Sequence, residues 1–82
     1  MPTIYREQGF HFFVYPNDHQ PAHIHVFHSD GEVKIDVSGL EPVPISLHGK
    51  IGRKTIKKAL DIAAVHLKQL QTEWEKFHGP IN

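Results

Sequence analysis

The segment HIHVFHSDGEVKIDV, residues 23–37, decides the fold because it carries the pattern of a β-hairpin. Apolar and polar residues alternate with a period of two over residues 23–28 and again over 33–37, as they do in strands with one buried face. Between these stretches, Asp30-Gly31 predicts a two-residue loop of the kind that joins antiparallel strands. The segment therefore predicts two neighbouring strands of a sheet.

The position of the Asp30-Gly31 loop predicts a register in which His25 lies opposite Asp36. Directly opposed residues share a face, so one face of the hairpin is entirely apolar. That face comprises Ile24, Val26, Val33, Ile35 and Val37. The opposite face comprises His23, His25, Phe27, Lys34 and Asp36. We expect His28 to pack or fray on the apolar side, near the hairpin tip.

Further strands are predicted on both sides of the hairpin, at residues 3–6, 10–15 and 43–47. From residue 56 onward, the spacing of apolar residues is typical of one face of a long helix. This stripe comprises Ile56, Leu60, Ala63, Leu67, Leu70, Trp74 and Phe77. The sequence thus predicts an α+β fold, in which an antiparallel meander of four to five strands packs on one long C-terminal helix of about residues 53–78.

The composition predicts a single domain over residues 1–82, small enough that a homodimer is a common way to bury more surface. No apolar run approaches the roughly 18 residues that span a bilayer, and MPTIYREQGF lacks a signal-peptide pattern. We therefore expect a cytoplasmic protein without membrane association. Because the chain has no cysteine, a metal ion would have to be held by carboxylates and by some of the eight histidines.

His23 and His25 form the first candidate site, a metal site. Two residues apart on a strand, they point to the same side and can converge on one ion. A third ligand is available from Asp18, His19 or His11, and Asp36 is predicted to orient His25. Zinc or nickel is the cofactor that such ligands favour, although the same spacing also occurs on ordinary half-exposed strands.

The same residues allow an enzyme without a metal ion. His23 and His25 would act as general base and acid, Asp36 would orient one imidazole, and Lys34 would stabilise an anionic transition state. This arrangement suits the hydrolysis of a phosphodiester. The second interpretation is therefore a histidine-dependent nuclease, metal-free or metal-assisted.

The segment HGKIGRKTIKK, residues 48–58, forms a second candidate site because it holds five cations and no acid. Helix N-termini usually prefer acidic residues. The cations would suit the binding of phosphate in RNA or DNA, with Lys50, Arg53, Lys54 and Lys57 as the contacting residues. The alternative is a solvated, lysine-rich helix start.

The residues MPTI, FHFFVY and DHQPAHIHV, followed by a sheet and a terminal helix with EW, make the chain resemble a small bacterial family called domain of unknown function 4160. The resemblance rests chiefly on Asp18, Pro21, His23 and His25, with the pattern DHxPxHxHV. It implies a protein of a two-gene toxin–antitoxin-like module with a partner protein encoded nearby.

These observations together predict a small binding protein of such a module. It would contact its partner protein and RNA or DNA through the face of the sheet that carries His23, His25 and Phe27 and through the basic residues of the segment 48–58. The histidine-dependent nuclease and a histidine-ligated metal-binding module are the alternatives. A homodimer across that face or across the helix is also predicted.

Overall fold

A computed structural model describes residues 3–81 of the chain. Its elements are β1 (Thr3–Glu7), β2 (Phe10–Phe13), β3 (His23–His28), β4 (Gly31–Asp36), β5 (Val43–Gly49), α1 (Arg53–Val65) and α2 (Leu67–His78). The strands form one antiparallel sheet in the order β1-β2-β3-β4-β5. The predicted α+β class and the meander are confirmed.

The hydrophobic core lies between the helices and the apolar face predicted for the central strands. Alternate residues of β2, β3 and β4 are fully or almost fully buried, and helix side chains cover them. The strands and the residues that flank them contribute Phe10, Phe12, Val14, Ala22, Ile24, Val26, Val33, Ile35 and Val37. The helices contribute Ala59, Ile62, Ala63, Leu70 and Trp74. The predicted division of the sheet into an apolar and a mixed face is therefore confirmed.

The register of the hairpin differs from the predicted one by two residues. Ser29 and Asp30 form the loop, and His28 pairs with Gly31. Gly31 is the first residue of β4, and a Cβ atom there would lie 2.6 Å from the carbonyl oxygen of Lys50. The prediction that Asp30-Gly31 forms the loop was therefore wrong: Gly31 allows the close approach of the chain after β5, and Ser29 adopts the positive φ of 51°.

The shift changes which residues are opposed but not which face each occupies, because side chains alternate with a period of two. His25 now lies opposite Lys34, and His23 lies opposite Asp36. The prediction that Asp36 orients His25 was therefore wrong. His28 packs on the ring of Phe10, as expected on the apolar side, at a centroid distance of 4.3 Å.

The C-terminal helix is interrupted at His66, so the prediction of one long helix was wrong. His66 has φ −106° and ψ 19°, which ends α1 and precedes α2. Its Nε2 atom lies 2.9 Å from the hydroxyl of Tyr5 and 3.3 Å from the carboxylate of Glu7, both on β1. These contacts place the residue between α1 and α2 beside β1.

The remaining boundaries differ little from the prediction. β2 ends at Phe13, two residues before the predicted end, and β5 continues to Gly49 as an edge strand. Within residues 3–81, neither helix is long and apolar enough to cross a bilayer.

Candidate metal site

The loop between β2 and β3 carries Asp18 to the start of β3. Its first turn is closed by a hydrogen bond from the amide of Asp18 to the carbonyl of Tyr15, at 3.1 Å. Pro16 occupies the second position of this turn, where its fixed φ is favourable. The Asp18 carboxylate in return accepts a hydrogen bond of 3.1 Å from the amide of Tyr15. Both bonds fix the direction of the Asp18 side chain.

Asp18 meets His23 and His25 in one compact cluster. The carboxylate oxygens of Asp18 lie 3.4 Å from Nε2 of His23 and 3.1 Å from Nε2 of His25. One ligand atom from each of the three residues lies within 4.8 Å of the other two. The three side chains are only 8–13% exposed, so the cluster is largely shielded from water.

The Nδ1 atoms of both histidines are held by acceptors outside the cluster. Nδ1 of His23 lies 2.9 Å from the carbonyl oxygen of Pro21. Nδ1 of His25 lies 2.7 Å from the carboxylate of Glu32. A carbonyl or an ionised carboxylate can only accept, so each Nδ1 carries the proton and donates it. This is the arrangement that orients histidines which bind a metal ion through Nε2.

Burial and the neighbouring polar groups have opposite effects on the pKa of Asp18. Burial alone would raise the pKa of its carboxyl group. The pKa of Asp18 is nevertheless lowered below its usual value by the hydrogen bond with Nε2 of His25, by the hydrogen bond from the amide of Tyr15, and by the charges that His25 and His23 can carry. Asp18 is therefore held as a carboxylate, the form that binds a cation.

Aromatic packing limits the movement of both imidazoles. The ring of Tyr15 meets His25 edge-on at 4.5 Å, and the ring of Trp74 lies 5.2 Å from His23. His78 stacks on Trp74 at 4.0 Å, and its Nε2 atom lies 3.0 Å from the carbonyl oxygen of Tyr15. The end of α2 thus contacts both the loop between β2 and β3 and the start of β3.

A cavity of about 360 Å³ opens beside the cluster. Asp18 and His23 lie in its wall together with Lys34 and Asp36 from β4 and His19 from the loop. The remaining lining residues are Asn17, Gln20, Pro21 and Ile45. An ion held by the cluster would therefore have access to a small-molecule cavity.

The structure separates the predicted ligands into two groups. Asp18, His23 and His25 come together. His19 is exposed at the cavity rim, and His11 lies beside a different cavity, with Phe13 and Phe27.

The predicted catalytic residues Lys34 and Asp36 line the cavity, but within residues 3–81 neither forms a side-chain hydrogen bond or salt bridge with His25. Asp36 instead accepts hydrogen bonds from the amide and the hydroxyl of Ser38.

Glu32 is the residue that the sequence analysis missed. The predicted Asp30-Gly31 loop would place Glu32 next to the turn, whereas Glu32, Lys34 and Asp36 continue one polar alternation along β4. That alternation was the signal that could have placed Glu32 on the face of the two histidines.

The predicted anion-binding residues lie apart from this cluster. Lys50, Arg53, Lys54 and Lys57 are all exposed around the start of α1. No acidic residue occupies the first turn, and no side chain caps Gly52 among the described residues. Lys57 lies 3.4 Å from Asp61 one turn further along the helix.

The chain is similar to a known family over most of its length. The family model for domain of unknown function DUF4160 matches residues 9–75, a stretch that contains the whole cluster. The chain belongs to the DUF4160 family. Searches of curated proteins and of solved structures gave no match. The function of this DUF4160 domain therefore has to be inferred from its own side chains.

Proposed function

We propose that this DUF4160 domain binds one divalent transition-metal ion through Asp18, His23 and His25. The observation that carries the proposal is the convergence of two imidazole Nε2 atoms on one carboxylate while both Nδ1 atoms donate elsewhere. In neutral histidines with this tautomer, each Nε2 bears a lone pair and no proton. Lone pairs of three side chains then face one another inside a shielded cluster.

Positive charge among these atoms relieves their mutual repulsion. Either the histidines take up second protons and become charged, or a metal ion occupies the centre. Metal binding releases such protons, and the buried carboxylate supplies a compensating charge. Because the hydrogen bonds of both Nδ1 atoms already fix the orientation of the rings, ion binding costs little side-chain conformational entropy.

The distances suit a transition metal. Zinc binds imidazole nitrogen and carboxylate oxygen at roughly 2.0–2.2 Å, which places neighbouring ligand atoms a little more than 3 Å apart. The oxygen-to-nitrogen distances from Asp18 are 3.1 and 3.4 Å. Two nitrogen ligands favour zinc or nickel over magnesium or calcium, which prefer oxygen.

The chemistry that such an ion would supply follows from the number of ligands. Three protein ligands leave at least one coordination position open, as in catalytic rather than structural sites. Because both nitrogens of His23 and His25 are engaged, we assign them as ligands rather than as general acid and base. The nuclease hypothesis is thereby favoured in its metal-assisted form, in which Asp18, His23 and His25 would hold the ion and the ion would supply Lewis-acid activation of water.

The single tryptophan of the chain provides the test, because its ring lies 5.2 Å from that of His23. Untagged, chelator-treated protein is titrated with Ni²⁺ or Co²⁺ while the fluorescence of Trp74 is recorded. We expect saturable quenching with one ion per chain. His23→Gln, His25→Gln and Asp18→Asn should each weaken binding by at least tenfold.

The matched control is His48→Gln, which alters an exposed histidine on β5 outside the cluster. It should bind the ion as the wild type does. Circular dichroism of each variant verifies that the sheet is intact. Equal affinity in the wild type and in folded His23→Gln and His25→Gln would overturn the proposal.

A second function is favoured by the exposed cations at the start of α1. We propose that Lys50, Arg53, Lys54 and Lys57 bind the phosphates of RNA or DNA. The support is their exposure and the absence of an acid in the first turn of α1. The partner protein, the toxin–antitoxin-like module, the homodimer and the cytoplasmic location stay predictions.

Retention of single-stranded and duplex nucleic acid over a range of salt concentrations tests this second function. Replacing Lys50, Arg53 and Lys54 by glutamine should weaken binding and flatten its salt dependence, by about 0.9 in logarithmic slope for each lost contact to B-DNA. The control replaces Arg6, Lys68 and Lys76, which are exposed elsewhere. An unchanged slope in the first variant would contradict the assignment.

A further inference from the structure

We infer that the cavity beside the cluster binds a small oxyanion, which would occupy the open position of the metal ion and pair with Lys34. This inference rests on the proposed metal site and adds the class of ligand. Its basis is that His23 and Asp18, two of the three ligands, share one cavity wall with Lys34. A ligand in the cavity can therefore reach both positive centres.

Lys34 is the residue that makes the cavity selective for anions. It lies on β4 directly opposite His25 and is half-buried. Within residues 3–81, no carboxylate forms a salt bridge with it and its ammonium group makes no hydrogen bond. A half-buried ammonium group at a cavity wall binds best to an anion that enters the cavity.

The charges in the wall agree with this assignment. The carboxylate of Asp18 contacts His23 and His25, and the carboxylate of Asp36 accepts hydrogen bonds from the amide and the hydroxyl of Ser38. A bound divalent ion and Lys34 together exceed the charge of these two carboxylates by one. The cavity of the metal-loaded protein therefore favours a negative ligand.

The size and the remaining lining limit the ligand to a small one. A volume of about 360 Å³ is at the lower end of small-molecule sites. Asn17, His19 and Gln20 line the rim and can donate to further oxygen atoms. A phosphate group and a carboxylate group share the chemistry required, and the experiment below distinguishes them.

The test uses protein loaded with one equivalent of Co²⁺, whose visible absorption reports its coordination. Inorganic phosphate and acetate are titrated separately. We expect a saturable spectral change with at least one of them, and the tighter of the two identifies the oxyanion. Lys34→Met should raise the dissociation constant of that anion at least tenfold and should not weaken Co²⁺ binding, because it removes a positive charge beside the ion.

Lys68→Met is the matched control, since Lys68 is exposed on α2 away from this cavity and should leave anion binding unchanged. Failure of Co²⁺ to bind would overturn the metal site and this inference together. Normal Co²⁺ binding without a response to either anion would overturn the inference alone. Equal anion affinity in wild type and Lys34→Met would do the same.

Discussion

At the scale of single residues, the direction of two imidazole rings determines what the cluster can do. His23 and His25 each donate from Nδ1 to an acceptor outside the cluster, to Pro21 and Glu32 respectively. This leaves the Nε2 atoms aimed at Asp18. The site is therefore specified as much by Glu32 and the Pro21 carbonyl as by the three ligands.

Glu32 is expected to tune metal affinity without touching the ion. Glu32→Ala removes the acceptor of the His25 Nδ1 proton, and loss of such a partner typically lowers metal affinity about 10–100-fold. Calorimetric titration with Zn²⁺ measures the change. Glu41→Ala, at an exposed position between β4 and β5, is the control and should have no effect. If Glu32→Ala retained full affinity, the contact with His25 would have no part in binding.

Asp18 is expected to make the stability of the metal-free protein depend on acid. Its lowered pKa means that the folded state binds the proton less readily than the unfolded state does. The resulting stabilisation is present above the unfolded pKa of about 3.9 and is lost as the pH falls through the lower folded value. In urea unfolding with a chelator present, the stability difference between wild type and Asp18→Asn should therefore shrink from pH 5 to pH 3. A difference independent of pH would contradict this.

At the scale of elements, alternation predicted the faces of the strands but not their register. A shift of two residues leaves every side chain on its face, so the apolar pattern cannot reveal it. The register depends on the close approach of Gly31 to Lys50 and Ile51, residues distant in sequence. The candidate ligands Asp18, His23 and His25 and the face of Glu32 could thus be predicted from alternation, whereas the contact of Glu32 with His25 depends on the register and could not.

The helix illustrates the same limit. Its apolar stripe predicted a helical region of about residues 53–78, and the observed end at His78 agrees. The interruption at His66 depends on Tyr5 and Glu7 of β1, which no local pattern connects to it. Local periodicity therefore predicts where helix forms, and tertiary contacts decide where it is interrupted.

Gly31 is expected to be intolerant of even a small side chain. Gly31→Ala would place a methyl group 2.6 Å from a backbone oxygen, and relief of such overpacking typically costs about 1–3 kcal/mol in free energy of unfolding. Gly39→Ala is the matched control, since no atom lies within 4 Å of its Cβ position. Urea denaturation measures both variants. Equal stability of the two would show that the chain after β5 moves away without cost.

At the scale of the whole molecule, the sheet has two unlike faces. One packs on the helices and forms the core. The other carries the cluster and a row of packed rings, in which Phe13 lies 6.4 Å from Tyr15 and 5.1 Å from Phe27. The cluster links the loop that carries Asp18 to the sheet, so an ion bound by the cluster would stabilise the fold.

Metal binding is expected to raise the melting temperature. At a free metal concentration of a hundred times the dissociation constant, an ion bound only by the folded state adds about 2.7 kcal/mol. For a domain of this size, that corresponds to a shift of about 10–20 °C. Differential scanning calorimetry with and without Zn²⁺ measures it. Asp18→Asn should lose most of the shift, and an equal shift in that variant would place the ion elsewhere.

The most direct test of the central claim is anomalous diffraction at the zinc absorption edge, from crystals of untagged protein grown with Zn²⁺. The proposed site predicts one strong peak at about 2.0–2.2 Å from Nε2 of His23, Nε2 of His25 and a carboxylate oxygen of Asp18. A fully occupied zinc ion elsewhere, with no peak between these three side chains, would contradict it.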